Sequence, residues 1–311
     1  FRFLDAYDFA SEGAEDIQED SKTLINASVL GKVFEKINGY KDGSIFTPGF
    51  ITMYMCRQAI RLAVLQKFKD KYGWNAEKFE DLSNYLYEDR SSTKIKEHNS
   101  VINSIRICDP AVGSGHFLVS SLNEIIAVKS ELGILADETG VIIRDFDITV
   151  ENDELIVTDY DGDIFEYTVT SDKTDKAYSV NKEVQRLQKT LFHEKQAIIE
   201  NCLFGVDINP NSVKICRLRL WIELLKNAYY REEGSLNVFQ PEGSTSPQRA
   251  NEVLQYQREG STYVPEVISG EPKKISQTKA LRGASYLTPN LETLPNLDIN
   301  IKCGNSLISR F

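Results

Sequence analysis

The sequence has little of what marks secreted, membrane-spanning or metal-binding proteins. No apolar run reaches the roughly 20 residues that a membrane-spanning helix needs. Three histidines lie far apart, and five cysteines are scattered without a Cys-x-x-Cys pair. We therefore expect no metal site, thiols that are buried rather than paired in disulfides, and a soluble, cytoplasmic protein. The cysteines are Cys56, Cys108, Cys202, Cys216 and Cys303.

Positive charge is also scarce, since 36 Lys and Arg stand against 46 Asp and Glu, a net charge of −10. A protein that holds DNA through its phosphates normally carries a basic face. Residues 137–176 alone contain 13 acidic and 3 basic side chains, so the other 271 residues carry 33 of each sign. The acidity is therefore local and does not exclude a nucleic-acid partner for the rest of the chain.

The length and composition favour a folded globular protein. With 311 residues, 41% of them hydrophobic, the chain can form one large or two ordinary domains. It begins at Phe1 and ends at Phe311 without a polar tail. We expect it to be a fragment of something longer.

The first hundred residues are predicted to be largely helical. Helices are expected over 15–40 and 49–73, with a polar stretch at 75–100 after them. The helical spacing assigns the inward face of the second helix to Phe50, Met53, Tyr54, Arg57, Ile60, Ala63, Val64 and Phe68.

From residue 101 onwards, strands and helices alternate. Short apolar runs predict three strands and two helices, in the order strand 105–108, helix 116–132, strand 202–206, helix 210–229 and strand 297–303. This alternation is typical of a doubly wound α/β sheet. Two insertions interrupt it, an acidic β-meander within about 134–195 and an irregular excursion at 233–293. The three β-like runs of the meander are 141–143, 155–158 and 164–169.

A glycine-rich turn follows the first predicted strand. The sequence at 109–118 is DPAVGSGHFL, in which Gly113 and Gly115 allow the backbone to approach a ligand closely. The helix after it offers unpaired backbone N–H groups at its start. A second acid, Asp207, ends the next strand, where a carboxylate can accept both hydroxyls of a ribose while Ile208 packs on an adenine ring. Taken alone, each feature is also compatible with an ordinary turn or helix start.

Four segments together resemble the methylase portion of type IIG restriction–modification enzymes, which are S-adenosylmethionine-dependent N6-adenine DNA methyltransferases. They are FTP at 46–48, DPAVGSGHFL at 109–118, LFGVDINPNSVKICRLRLW at 203–221 and LPNLDINIKCGNSLI at 294–308. The resemblance implies a partial Rossmann-like class I methyltransferase domain at 101–311, preceded by a helical region at 1–100 that carries the Thr-Pro loop.

The resemblance also assigns the cofactor residues. Thr47 and Pro48 would cover the methionine end of S-adenosylmethionine, while Asp109, Ala111, Gly113 and Gly115 would bind the methionine moiety. Three other residues would bind the adenosine end: Asp207 would bind the ribose hydroxyls, Ile208 would pack on the adenine, and Asn305 would contact the exocyclic amine of the adenine. The turn lacks the Lys of a phosphate-binding loop, which suits a cofactor without a phosphate.

One family feature is missing. The Asn-Pro-Pro-Tyr tetrapeptide, which in this family binds the flipped-out adenine, is absent from the 311 residues. We therefore assign no catalytic residue and expect the fragment itself to be inactive. Double-stranded DNA would be bound largely through parts outside this chain. Nuclease and target-recognition domains are possible fusion partners of the chain.

Other functions stay open at this point. Relatives with the same motif order methylate protein glutamine or RNA, and a non-catalytic cofactor-binding module would explain the missing tetrapeptide. A nicotinamide oxidoreductase is disfavoured, because the turn lacks the full GxGxxG spacing of a dinucleotide site and because a Thr-Pro loop is present. Asp207 lies 98 residues beyond Asp109, a distance that the acidic insertion accounts for. The acidic meander is expected to point away from the DNA.

Overall fold

The computed structural model describes residues 47–167, 178–232, 284–291 and 300–307, with short pieces at 7–8, 23–24, 33, 36 and 170–171. Its main helices in these ranges are α1 (Gly49–Tyr72), α2 (Leu82–Glu88), α3 (Ser92–Asn103), α4 (His116–Glu131), α5 (Lys182–Asn201) and α6 (Pro210–Leu225). The strands are β1 (Tyr7–Asp8), β2 (Thr23–Leu24), β3 (Ile107–Asp109), β4 (Phe146–Glu151), β5 (Glu154–Asp159), β6 (Thr170–Ser171), β7 (Tyr178–Asn181), β8 (Leu203–Asp207), β9 (Tyr230–Glu232), β10 (Ala284–Leu291) and β11 (Ile301–Cys303).

A small parallel sheet lies at the centre of the described region. Its strand order is β11-β8-β3, with Asp109 opposite Gly205 and Cys303 opposite Asp207. Helix α4 follows β3, and α6 follows β8. This confirms the predicted mixed α/β class and places each predicted strand and helix of this core within a few residues of its observed position.

Helix α1 follows Pro48 and ends at Gly73, whose left-handed φ of 68° closes the last turn through a bond from its N–H to the carbonyl of Lys69. The predicted inward face was partly wrong, because Phe50 and Tyr54 are 74% and 67% exposed. The observed buried face shares Ile60, Val64 and Phe68 with the predicted one. It consists of Thr52, Cys56, Ile60, Val64, Leu65 and Phe68.

The polar stretch at 75–100 also contains structure that the sequence did not indicate. A 3₁₀ turn at Phe79–Asp81 leads into α2, and α3 begins after Ser91, whose hydroxyl accepts a bond from the N–H of Lys94. The few apolar residues of α2 and α3 are enough to anchor both helices to the core, because Leu82, Leu86, Ile95 and Ile102 are each completely buried.

The acidic insertion is a hairpin rather than a three-stranded meander. Strands β4 and β5 pair in antiparallel fashion from Phe146–Asp159 to Glu151–Glu154. Of the other predicted runs, Ile142 and Ile164 each form only an isolated bridge, and residues 168–169 lie outside the described part. The predicted run at 141–143 was therefore wrong, since the strand begins at Phe146.

Helix α5, which the sequence interpretation missed, occupies the second half of the same insertion. The side chain of Asn181 caps its start by accepting from the N–H of Glu183, and the helix buries Leu187, Leu191, Phe192 and Ile198. Its apolar residues recur at helical spacing, but they are separated by many charges. The helix therefore packs against the core through one face only.

Two further predictions were contradicted in part. Ala284–Leu291 forms strand β10 between β7 and β9, so the segment 233–293 is not irregular throughout. Thr23–Leu24 pairs with Tyr7–Asp8, so the helix predicted over 15–40 does not include these two residues, although Val33 and Lys36 are helical. The remainder of both segments lies outside the described residues. The division of the chain near residue 100 stays a prediction.

Candidate cofactor site

The three strands of the parallel sheet end at one edge. Because parallel strands share a direction, the residues that follow β3, β8 and β11 lie side by side there. The sequence-predicted residues Asp109 and Asp207 end two of these strands, and Asn305 follows the third. The carboxyl edge of such a sheet is the usual place for a ligand.

The glycine-rich turn folds back onto the second strand. The carboxylate of Asp109 accepts the N–H of Ala111 at 3.0 Å, and the N–H of Val112 donates to the carbonyl of Val206 at 2.9 Å. Gly115 has a φ of 89°, and a Cβ built on it would lie 2.7 Å from the sulfur of Cys216. The turn therefore requires glycine at 115 for both its backbone angle and its contact with α6.

Asp207 joins the two strand–helix units. One of its carboxylate oxygens accepts the N–H of Gly113 at 2.8 Å, and the other accepts the N–H of Asn209 at 2.8 Å. A carboxylate has about four lone-pair positions, so two remain for other donors such as hydroxyl groups. The side chain is partly exposed, and the neighbouring Ile208 is 71% exposed. This arrangement fits a ligand that offers a diol beside an apolar ring.

Asp109 is partly buried. Burial raises the pKa of its carboxyl above the ordinary value, the N–H of Ala111 opposes that rise, and the charge of Asp207 adds to it. A cationic group in front of Asp109 would be favoured, because it would offset the cost of keeping this carboxylate charged.

The third strand contributes an exposed turn. The N–H of Gly304 donates to the carbonyl of Asp207 at 2.9 Å, which fixes this turn next to the second strand. Asn305 is exposed, and its side-chain oxygen accepts the N–H of Leu307 at 2.9 Å, which leaves its amide NH₂ able to donate to a ligand.

Thr47 and Pro48 are exposed at the start of α1, whose early turns pack on the early turns of α4. The hydroxyl of Thr52 lies 3.1 Å from that of Ser120, and the sulfur of Cys56 lies 3.3 Å from the hydroxyl of Ser121. These contacts bring the Thr-Pro segment to the helix that begins at the glycine-rich turn.

Arg219 is a site residue that the sequence interpretation missed. The apolar residues Val213, Cys216, Leu220 and Leu224 of α6 are buried, whereas Trp221 is 38% exposed. Arg219 is 1% exposed and donates to the carbonyl and hydroxyl oxygens of Ser114, at 3.2 and 3.3 Å. Arg219 lies three residues after Cys216 and therefore on the same side of α6, which faces Gly115 in the glycine-rich turn. This helical spacing is the sequence signal that could have identified Arg219.

The cysteines divide into two groups. Cys56, Cys202 and Cys216 are buried, as expected, whereas Cys108 and Cys303 are exposed, which contradicts the prediction. Burial raises the pKa of the Cys216 thiol to about 12. All five are free, and no metal-binding group of His, Cys, Asp and Glu occurs among the residues that the structure describes.

A cleft of about 370 Å³ lies away from this edge, between residues 136–139 and α5. Its charged side chains pair with one another: Arg186 contacts Asp137 at 2.6 Å, and Glu138 contacts both Lys189 and His193. Such pairing is typical of a structural ion cluster, and we place the candidate site at the sheet edge instead.

Comparison with known proteins agrees with the motif order. A protein of Methanocaldococcus jannaschii named "putative type II restriction enzyme and methyltransferase" is 29% identical over 245 residues. The chain is related to restriction–modification methylases. The match covers 72% of this chain but only 16% of that protein, so the chain spans about a sixth of its relative. No family model and no solved structure matches the sequence.

The helices in the described ranges include none that is both long and apolar enough to cross a membrane.

Proposed function

We propose that this chain is the S-adenosylmethionine-binding part of a DNA methyltransferase in a restriction–modification system, acting on the N6 atom of adenine. The observation that carries the proposal is the carboxylate of Asp207, which is held by the glycine-rich turn and still has free lone pairs at the sheet edge. The sequence relationship supports a methyltransferase.

The residues present fit this cofactor by their chemistry. Asp207 offers acceptors for two hydroxyl groups, and the exposed Ile208 offers an apolar surface beside them. Asp109 offers a partly enclosed carboxylate for an ammonium group, and Asn305 offers an exposed amide for the adenine edge. S-adenosylmethionine would supply an activated methyl group on a sulfonium ion.

The work of this chain would be to bind and orient the cofactor. Direct displacement at the methyl carbon depends on alignment and on exclusion of water more than on proton transfer. Accordingly, we assign no general acid or base to the described residues. A flipped-out adenine and the rest of the duplex would be held by other parts of a longer protein. We also propose a fold of the Rossmann-like methyltransferase type, of which the three parallel strands form part, and a cytoplasmic location.

A methylation assay on the full-length gene product tests the proposal. Duplex DNA would be incubated with methyl-labelled S-adenosylmethionine, and the labelled base identified after hydrolysis. We expect label in N6-methyladenine. Label in cytosine would contradict the assigned base while keeping the cofactor.

The missing Asn-Pro-Pro-Tyr tetrapeptide favours a second candidate, a cofactor-binding module without catalytic activity. The same assay separates the two, because a non-catalytic module would bind S-adenosylmethionine without labelling DNA even in its full-length form.

A further inference from the structure

One aspartate in the turn of the acidic hairpin is buried. Asp153 is 6% exposed and the next residue, Glu154, is 2% exposed, whereas Asp147 and Glu151 of the hairpin face solvent. Asp153 has a φ of 70° and Asn152 a φ of 50°, as in a two-residue turn that prefers glycine at its second position. The chain therefore keeps an aspartate where glycine would be less strained, which suggests a role for its carboxylate.

The carboxylate reaches the helix that begins at the glycine-rich turn. Ser120 donates to one oxygen of Asp153 at 2.5 Å, and the Nδ1 atom of His116 lies 3.8 Å from the other oxygen. The side chain of Asn123 also donates to the main-chain carbonyl of Asp153 at 2.9 Å. The hairpin is thus fastened to the first two turns of α4.

The contact continues from α4 to α1. The hydroxyls of Ser120 and Thr52 lie 3.1 Å apart, and Thr52 and Ser120 are 0% and 1% exposed. A carboxylate can only accept, so Ser120 gives its single hydroxyl proton to Asp153. The hydroxyl of Thr52 donates to the carbonyl of Gly49, the first residue of α1, at 2.8 Å, so the two hydroxyl oxygens are in close contact while each bonds within its own element or to the hairpin.

We propose that Asp153 is a positioning residue for the cofactor site. It holds Ser120 by accepting its hydroxyl proton, and Ser120 in turn lies in buried contact with Thr52. Asp153 thereby fixes the start of α4, which follows the glycine-rich turn, against the start of α1, which follows Thr47 and Pro48. The inserted hairpin is thereby part of the support of the site. The inference rests on the proposed function for the identity of the ligand, but not for the ordering of the turn.

Hydrogen–deuterium exchange of the ligand-free protein tests the ordering directly. The main variant is Asp153→Gly, which leaves Asn-Gly, the most favoured sequence for this turn, and removes only the carboxylate. We expect the amides of residues 113–118 to exchange about tenfold faster in this variant. Asp153→Asn keeps an acceptor for Ser120 and should restore most of the protection.

Two controls separate positioning from general stability. Asp161→Asn makes the same charge change at an exposed position of the inserted segment and should leave the exchange of residues 113–118 unchanged. Arg186→Gln removes the ion pair with Asp137 in the same insertion, away from α4, and should lower the melting temperature without affecting that exchange. The inference would be overturned if these amides exchanged in Asp153→Gly at the same rate as in the wild type, or no faster than in Arg186→Gln.

Titration with S-adenosylmethionine completes the test. We expect Asp153→Gly to weaken binding about tenfold and Asp153→Asn to weaken it far less. Faster exchange with unchanged affinity would overturn the link to the site. A wild-type protein that does not bind S-adenosylmethionine would instead refute the proposed function, and the exchange rates would still decide whether Asp153 orders the turn.

Discussion

The parallel sheet and the acidic hairpin place their aspartates in opposite settings. Asp207 lies at the open edge of the sheet, partly exposed and bonded to two backbone N–H groups. Asp153 lies at the tip of the hairpin, buried and bonded to the side chain of Ser120. An acid that binds a ligand must keep lone pairs within reach, whereas an acid that orders other groups uses them inside the protein. We propose the first role for the core and the second for the insertion.

Buried charges join the two regions, and breaking them should have the largest effect on stability. Lys195 donates to the carbonyl and carboxylate of Glu223, and Lys226 lies between Glu223 and Glu154 of the hairpin. Lys195→Met would leave two buried carboxylates with one ammonium group. We expect a loss of about 3–5 kcal/mol in the free energy of unfolding, measured with urea.

Lys189→Met is the matched control for this substitution. Lys189 lies on the same helix and pairs with Glu138 at 3.5 Å, but both side chains are partly or largely exposed. Its loss should change stability by less than about 1 kcal/mol. Equal effects of the two substitutions would show that burial does not govern these ion pairs.

Two glycines with similar backbone angles allow a sharper test. Gly115 in the core has a φ of 89° and no room for a Cβ, whereas Gly162 in the inserted segment has a φ of 85° and nothing within 4 Å. Gly162→Ala should cost about 1 kcal/mol from backbone strain alone, and Gly115→Ala about 2–4 kcal/mol because the clash with Cys216 is added. Thermal unfolding measures both. Similar losses of stability in the two variants would mean that α6 moves away from the added methyl group of Gly115→Ala without a cost in free energy.

The smallest effect is expected at Asp109 and has the opposite sign. A carboxyl whose pKa is raised by folding favours the protonated state, so the stability of the protein increases as the pH falls through that raised pKa. At neutral pH the charged form therefore costs stability. We expect Asp109→Asn to raise the melting temperature slightly at pH 7, while weakening the binding of S-adenosylmethionine.

Asp81 provides the contrasting case. Backbone N–H groups of Lys78 and Glu77 lower the pKa of its exposed carboxyl, so its contribution to stability is present at neutral pH and is lost as the pH falls through that lowered pKa. Asp81→Asn should lower the melting temperature at pH 7. A lower melting temperature for both Asp81→Asn and Asp109→Asn would contradict the view that the charged Asp109 lowers the stability of the protein.

The two regions also differ in how much of them the sequence predicts. Strands β3 and β8 are short apolar runs followed by an acid and a helix start, and such local signals do not depend on the rest of the fold. The proposed cofactor residues Asp109, Gly113, Gly115 and Asp207 were singled out for the same reason. Their assignment to a ligand stays a prediction.

The structure of the insertion was harder to predict, because its contacts join residues that are far apart in the sequence. Ser120 and Asp153 are 33 residues apart, and the Val141-Ile142-Ile143 run resembles a strand although it forms a single bridge. The inward face of α1 was misassigned because the polar Thr52 is buried against Ser120, while the aromatic Phe50 is exposed. Burial of polar side chains through mutual hydrogen bonds is not visible in a hydrophobicity pattern.

Titration calorimetry on the wild type, Asp207→Ala and Asp161→Ala tests the central claim most directly, since only Asp207 lies at the sheet edge. We predict that the wild type and Asp161→Ala bind S-adenosylmethionine alike and do not bind NAD, and that Asp207→Ala binds about 100-fold more weakly. Equal affinity of all three proteins for S-adenosylmethionine, or binding of NAD in its place, would contradict the account.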